Sequence, residues 1–140
     1  MKKLIMLFIV AATMFSCSDD DDTKEENVLI GKWKLTQITS FDATVYTPEE
    51  SENVYYTFNS NKTLVIESNV NLPENDGFYQ HTSPKTIPYS FYTDNEFLMQ
   101  KVVVLGDSEN SLGKYGFKKW NDSLSFYEYD GRSLLFVKAN

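Results

Sequence analysis

Between residues 29 and 138 apolar and polar side chains alternate in short runs, and turn-forming residues break the runs. In Lys32-Trp33-Lys34-Leu35 the apolar pair falls on one face and the lysines on the other, the pattern of a strand with one buried side. Val54, Tyr56 and Phe58 alternate with Tyr55 and Thr57. Asn59-Ser60-Asn61-Lys62 then turns the chain, and Leu64 and Ile66 resume the pattern, which predicts a β-hairpin. Tyr89 and Phe91 share a face within residues 87–93, Asp94-Asn95-Glu96 turns, and residues 97–105 predict the next strand. Tyr115 and Phe117, then Leu124 and Phe126, then residues 134–138 continue the series. Their turns are Asn121-Asp122 and Asp130-Gly131, and Asp-Gly is a strong hairpin signal. Residues 41–52 and 69–77 read as long loops, and 78–82 as a short strand. No window sustains a helical period. The expectation is an all-β domain, an antiparallel meander of about eight or nine strands that closes into a small barrel or sandwich.

The first residues follow a different pattern. Lys2 and Lys3 precede a thirteen-residue apolar stretch, 4–16, which ends in small residues before Cys17, the one cysteine of the chain. A basic start, a short apolar core and a small residue before a cut site make a secretory signal. A spanning helix needs about 20 apolar residues, so the stretch is too short to be one. Ser18-Asp19-Asp20-Asp21-Asp22 comes next, and Glu25 and Glu26 extend the acidic run. Like charges keep such a segment extended and solvated. A calcium loop of the EF-hand type would need a central glycine, and none precedes Gly31. The 140 residues thus divide into an expected signal peptide, 1–16, a cysteine with an acidic tether, 17–28, and a domain, 29–140.

These motifs carry resemblances. Met14-Phe15-Ser16-Cys17 resembles a bacterial lipobox, which implies cleavage before Cys17 and acylation of its thiol. Cys17-Ser18-Asp19-Asp20-Asp21-Asp22 resembles the signal that exports lipoproteins of Bacteroidetes to the outer face of the outer membrane. Gly31-Lys32-Trp33-Lys34-Leu35, the hairpin around 56–64 and the closing Leu135-Phe136-Val137-Lys138 together resemble the lipocalin-like, calycin-type small barrels of Bacteroidetes lipoproteins. The resemblance implies that Trp33 packs the closed end of the barrel. Two departures stand out: Lys62 occupies the usual glycine position of the first hairpin, and no helix follows the last strand. Asp122-Ser123-Leu124 also resembles a short O-glycosylation motif of these bacteria.

Charge narrows the function classes. The chain carries −7, and loss of residues 1–16 removes Lys2 and Lys3 and no acid, giving −9. Residues 19–26 hold six acids and one lysine, so the domain from Asn27 onward is close to −4. A nucleic-acid partner needs a basic face, so none is expected. His81 is the only histidine. A zinc site wants three or four nitrogen or sulfur ligands, and nucleophilic catalysis wants a nucleophile beside a base. No catalytic residue, metal or cofactor is therefore expected. Glu49, Glu50 and Glu52 read as a solvated loop; Glu128 shares the Phe126 face, which would point it inward, but as a strand-end residue it is expected in solvent.

The inward aromatics leave two functions open. Tyr56, Tyr89, Phe91, Tyr115, Phe117 and Phe126, with Phe58, line a pocket for a small apolar or amphiphilic ligand, or they fill a solid barrel. So many bulky rings favour the filled barrel. In that case the protein is an interaction or structural module, and patches around Tyr46, Tyr79 or Tyr92 meet another surface protein or a glycan. In both cases the lipid on Cys17 holds the domain at the membrane.

Overall fold

The computed structural model describes residues 28–95 and 100–140. The expected signal peptide, Cys17, the acidic run and the first residues of the expected strand 97–105 lie outside the described residues. Nine strands form one sheet: β1 (Gly31–Thr39), β2 (Val45–Tyr46), β3 (Val54–Phe58), β4 (Thr63–Ser68), β5 (Lys85–Asp94), β6 (Gln100–Leu105), β7 (Gly113–Trp120), β8 (Ser123–Tyr127) and β9 (Ser133–Lys138). Each pairs antiparallel with its neighbour in the order β2-β1-β3-β4-β5-β6-β7-β8-β9, and β1 also pairs with β9. Eight strands therefore close into a barrel, with β2 as a short appendage. Closure removes the exposed edges that an open sheet of this size would present.

β1 makes the closure. Its first half pairs with β3, from Gly31 opposite Phe58 to Lys34 opposite Tyr55. Its length along β9 runs from Trp33 opposite Lys138 to Thr39 opposite Ser133, with a register shift between Leu35 and Gln37. The extra residue, Thr36, donates its hydroxyl to the Leu135 carbonyl at 3.0 Å, so the bulge stays tied to the ladder. Past it, Ile38 and Thr39 pair with Tyr46 and Val45 of β2.

The alternation read from the sequence is the burial pattern. Trp33, Leu35, Val54, Tyr56, Leu64, Leu124 and Phe126 are completely buried, with Phe58 and Tyr115 at 1 % exposure. Lys62 has φ +64°, so a lysine takes the left-handed turn position in the first hairpin that glycine would occupy at no steric cost. Its amide donates to Asn59 O at 3.1 Å, and its ammonium lies 4.6 Å above the Phe91 ring.

Two expectations are corrected. Residues 78–82 do not form a strand: Tyr79–Thr82 is a single helical turn, α1. Thr82 folds its hydroxyl back on the Phe78 and Tyr79 carbonyls, at 3.2 and 3.3 Å. Asp76 accepts from the Phe78 amide at 2.8 Å, which bends the chain into the turn. The loop 41–52 is also interrupted by β2, too short to leave a readable period.

The barrel has two unlike ends. At the entry end Val28 and Leu29 lead the chain into β1, and the turns β3–β4 and β7–β8 lie there. At the capped end lie segments 40–53, 69–84 with α1, 106–112 and 128–132. The four capped-end segments hold ten carboxylates, and Arg132 is their only arginine or lysine. Lysines gather toward the entry end, where Lys32, Lys34, Lys118, Lys119 and Lys138 sit near strand ends.

Candidate functional site

Trp33 lies buried beneath the entry of the chain. Its indole N–H donates to the Leu29 carbonyl at 2.8 Å, and the Lys138 ammonium lies 5.2 Å from the ring centre. The indole is fully buried with its one polar atom satisfied, which suits a core residue.

From there the expected ligand-facing rings run the length of the barrel in contact with each other. Phe117 meets Phe91 at 5.7 Å between ring centres, Phe91 meets Tyr89 at 5.8 Å, and Tyr89 meets Phe58 at 5.2 Å. Phe58 meets Phe126 at 5.8 Å, and Phe126 meets Tyr115 at 5.8 Å. Tyr56 joins the column through Phe136, 5.0 Å away. Phe91 and Phe117 are only half-buried, toward the entry end, whereas the other rings are buried. Tyr89 donates its hydroxyl to Asn59 O at 2.7 Å. The geometry is that of edge-to-face and tilted ring packing, which stabilises beyond the area buried.

The polar groups collect under α1 at the capped end. Tyr56 donates to the His81 carbonyl at 2.9 Å, and its oxygen lies 3.5 Å from His81 Nδ1. The His81 ring meets the Tyr115 ring edge-on at 6.4 Å. Tyr115 donates to Leu112 O at 2.8 Å, which ties down segment 106–112. Tyr46 stacks on Phe78 at 5.5 Å and donates to Glu52 at 3.0 Å, which ties down segment 40–53. The barrel's aromatics thus fasten three loops over its mouth.

Glu128, expected in solvent, is instead largely shielded against Gly113. Its carboxylate meets Arg132 Nε at 2.6 Å, while Arg132 also meets Asp130 at 3.1 Å. Gly113, at φ +126°, makes this possible: a Cβ there would stand 2.5 Å from Glu128 Oε1. Burial raises the Glu128 pKa above the usual carboxylate range, against the pull of Arg132. Burial lowers His81 to about 4, helped by the charges of Lys85 and Arg132, so its imidazole is neutral at ordinary pH. Burial also raises the Tyr56 and Tyr115 hydroxyls, which remain protonated donors.

Beside these groups is a cavity of about 50 Å³ lined by Ile38, Phe78, His81, Tyr115, Arg132 and Leu134 among others. It has room for a few water molecules. Two carboxylates already neutralise Arg132, the tyrosines donate to backbone carbonyls, and His81 is neutral. The arrangement holds loops in place.

Of the six sequence-derived ligand residues, Tyr115 lines this cavity and the others belong to the ring column. The patches expected at Tyr46, Tyr79 and Tyr92 are all half-buried. Tyr92 donates to Asp94 at 2.8 Å. Strong exposure falls elsewhere, on Phe41 at 73 %, Val45 at 53 % and Tyr129 at 89 %. The role of Phe78 and the helical turn left no sequence signal beyond Asp76-Gly77. No family model, curated protein or solved structure matches the chain.

Proposed function

We propose that the protein is a lipid-anchored outer-membrane lipoprotein of the lipocalin-like kind known from Bacteroidetes. In this reading its barrel is a solid scaffold that presents the capped-end loops to another surface protein or a glycan. The observation that carries the reading is the continuous packing of the inward rings from Phe117 to Tyr115, at 5.2–5.8 Å between neighbouring centres. A pocket for an apolar ligand ordinarily measures about 300–1,000 Å³. The space beside Tyr115 is about 50 Å³, and an apolar guest among the rings would have to part contacts that now bury Phe126 completely.

Two further features support the display role. Phe41, Val45 and Tyr129 stand on adjacent strands or their turns, since β1 pairs with β2 and with β9 at Thr39. All three are strongly exposed and stand in segments rich in carboxylates, and exposed apolar side chains of this kind suit contact with a partner. They lie at the opposite end of the barrel from the entry of residue 28, so a lipid on Cys17 would leave them facing outward. Several acyl chains on one cysteine make an anchor far firmer than one chain, at about 0.8 kcal/mol per buried methylene.

Two measurements test the reading. A fatty-acid analogue fed to the producing cell should label the parent and not Cys17→Ser. An environment-sensitive fluorescent fatty acid should show no saturable binding to the barrel. Labelling of Cys17→Ser would remove the anchor, and saturable binding displaced by an unlabelled fatty acid would restore a ligand-carrying barrel.

A further inference from the structure

At the capped end, α1, the first residue of β5 and segment 106–112 border a groove of about 330 Å³. Its polar lining includes Glu74, Tyr79, Gln80, Lys85, Glu109 and Asn110, and Leu112 is its one aliphatic side chain. Among the described residues, no hydrogen bond, ion pair or ring contact engages any of those six polar side chains. Tyr46, Tyr56, Tyr115 and Arg132 at the same end each have a partner. Lys85 stands in line with Ile87 and Tyr89, the buried face of β5, and is half-buried. Burial lowers its pKa, and Glu74 and Glu109 share the groove without pairing with it. A partly desolvated charge of this kind gains from any ligand that hydrogen-bonds it. The walls are already set. Asp107 accepts from the Glu109 and Asn110 amides, both at 2.9 Å, and the Leu112 amide donates to Leu105 O at 2.8 Å. Gly106 has φ +96°, and a Cβ there would stand 1.9 Å from Asn110 O. Opposite, Tyr56 holds α1 through the His81 carbonyl. A groove with fixed walls loses little freedom when it is filled.

We propose that this groove binds a neutral saccharide of one or two rings. The inference rests on the display reading above and narrows its partner to a glycan at one site. A sugar hydroxyl both donates and accepts, and the groove answers both ways. Lys85 donates only, Glu74 and Glu109 accept only, and Tyr79, Gln80 and Asn110 do either. The volume sits at the low end of the roughly 300–1,000 Å³ usual for small-molecule sites. Other occupants fit less well. One aliphatic side chain is too little for an apolar ligand, and the groove lacks the dry apolar socket that anchors a protein hot spot. Two carboxylates against one ammonium repel an anion. Among the described residues, no group of three or more His, Cys, Asp or Glu is placed to hold a metal ion.

An amide-resolved titration of the full chain, held in a polyoxyethylene detergent, tests this with maltose, cellobiose, lactose and diacetylchitobiose. The signals of Gln80, Lys85 and Asn110 should move while those of Phe41 and Tyr129 stay still, and at least one sugar should saturate the shift with a Kd near about 1 mM. Binding this weak is lost on dilution during purification. Gln80→Ala and Asn110→Ala alter exposed, unpaired side chains, so the barrel spectrum should persist while each weakens binding about threefold or more. Lys85→Gln should weaken it about tenfold. Because no net charge is exchanged, affinity should hold between about 0.01 and 1 M salt. Silence from all the sugars at about 10 mM would overturn the saccharide and leave the displayed loops to a protein partner. Inorganic phosphate moving the same amides, with the effect gone at about 1 M salt, would make the groove an anion site and overturn it too. So would sugar binding that survives all three substitutions. The display reading fails separately, through labelling of Cys17→Ser or saturable binding of the fatty acid.

Discussion

Trp33 sits beneath the entry of the chain, with its N–H bonded to Leu29 O at 2.8 Å and Lys138 over its ring. Trp33→Ala removes the largest buried side chain at that end, so it should cost about 3–5 kcal/mol in a denaturant unfolding curve. For a domain with about 5–15 kcal/mol in all, that is a large share, and a melting point within a degree or two of the parent would contradict the assignment. His81 gives a pH signature. Its pKa is about 4 folded against 6.5 as a free group, so protons favour the unfolded chain. The stability from the neutral imidazole is complete above pH 6.5, declines as pH falls, and is gone below about 4. Because part of the residue reaches solvent, the loss should be about 1–3 kcal/mol. Glu128, with its raised pKa, works in the opposite direction, so the effect is read as the difference between the parent and His81→Gln. A flat difference between pH 7 and 4 would show that the ring is solvated. Trp33 was legible because its neighbours Lys32 and Lys34 mark the outer face. His81 was not, because its partners Tyr56 and Tyr115 are 25 and 34 positions away, and nothing local brings them together.

The strands were legible as elements wherever period-two alternation ran for five residues or more, as in β3, β8 and β9. β2 and α1 were not, with two and four residues each, too few for any period to show. Both are held by tertiary contacts instead, above all the Tyr46–Phe78 stack at 5.5 Å. This argues that the cap opens locally, ahead of the barrel. Phe78→Ala should therefore speed thermolysin cleavage within residues 69–84 severalfold while costing only about 1–2 kcal/mol globally, well under the Trp33 variant. Loss of the whole barrel in step with the cap would mean that the two form one cooperative unit. The bulge at Thr36 was hidden for a related reason: it leaves the alternation of β1 readable up to Leu35 and shifts the register only afterwards.

For the whole molecule, sequence order already implied the meander, since β1 pairs with β2 and each strand from β3 to β8 pairs with the one that follows it. Closure through β1 and β9 was left open by the strand pattern, which allowed a barrel or a sandwich, and only the resemblance favoured the barrel, because no local pattern records a contact between strands so far apart in the chain. The same limit hid the charge polarity. Ten carboxylates are scattered through four segments of the sequence, and only the fold collects them at one end with lysines at the other. In the proposed reading, charge polarity, packed core and a lipid on Cys17 together make a scaffold held at one end and displayed at the other. Native mass spectrometry of the protein taken from the membrane of its own host tests that description most directly. The account predicts a chain that begins at Cys17, carries covalent acyl chains there, and retains no other small molecule. A non-covalent apolar molecule retained at one per chain, or an unmodified chain, would contradict it.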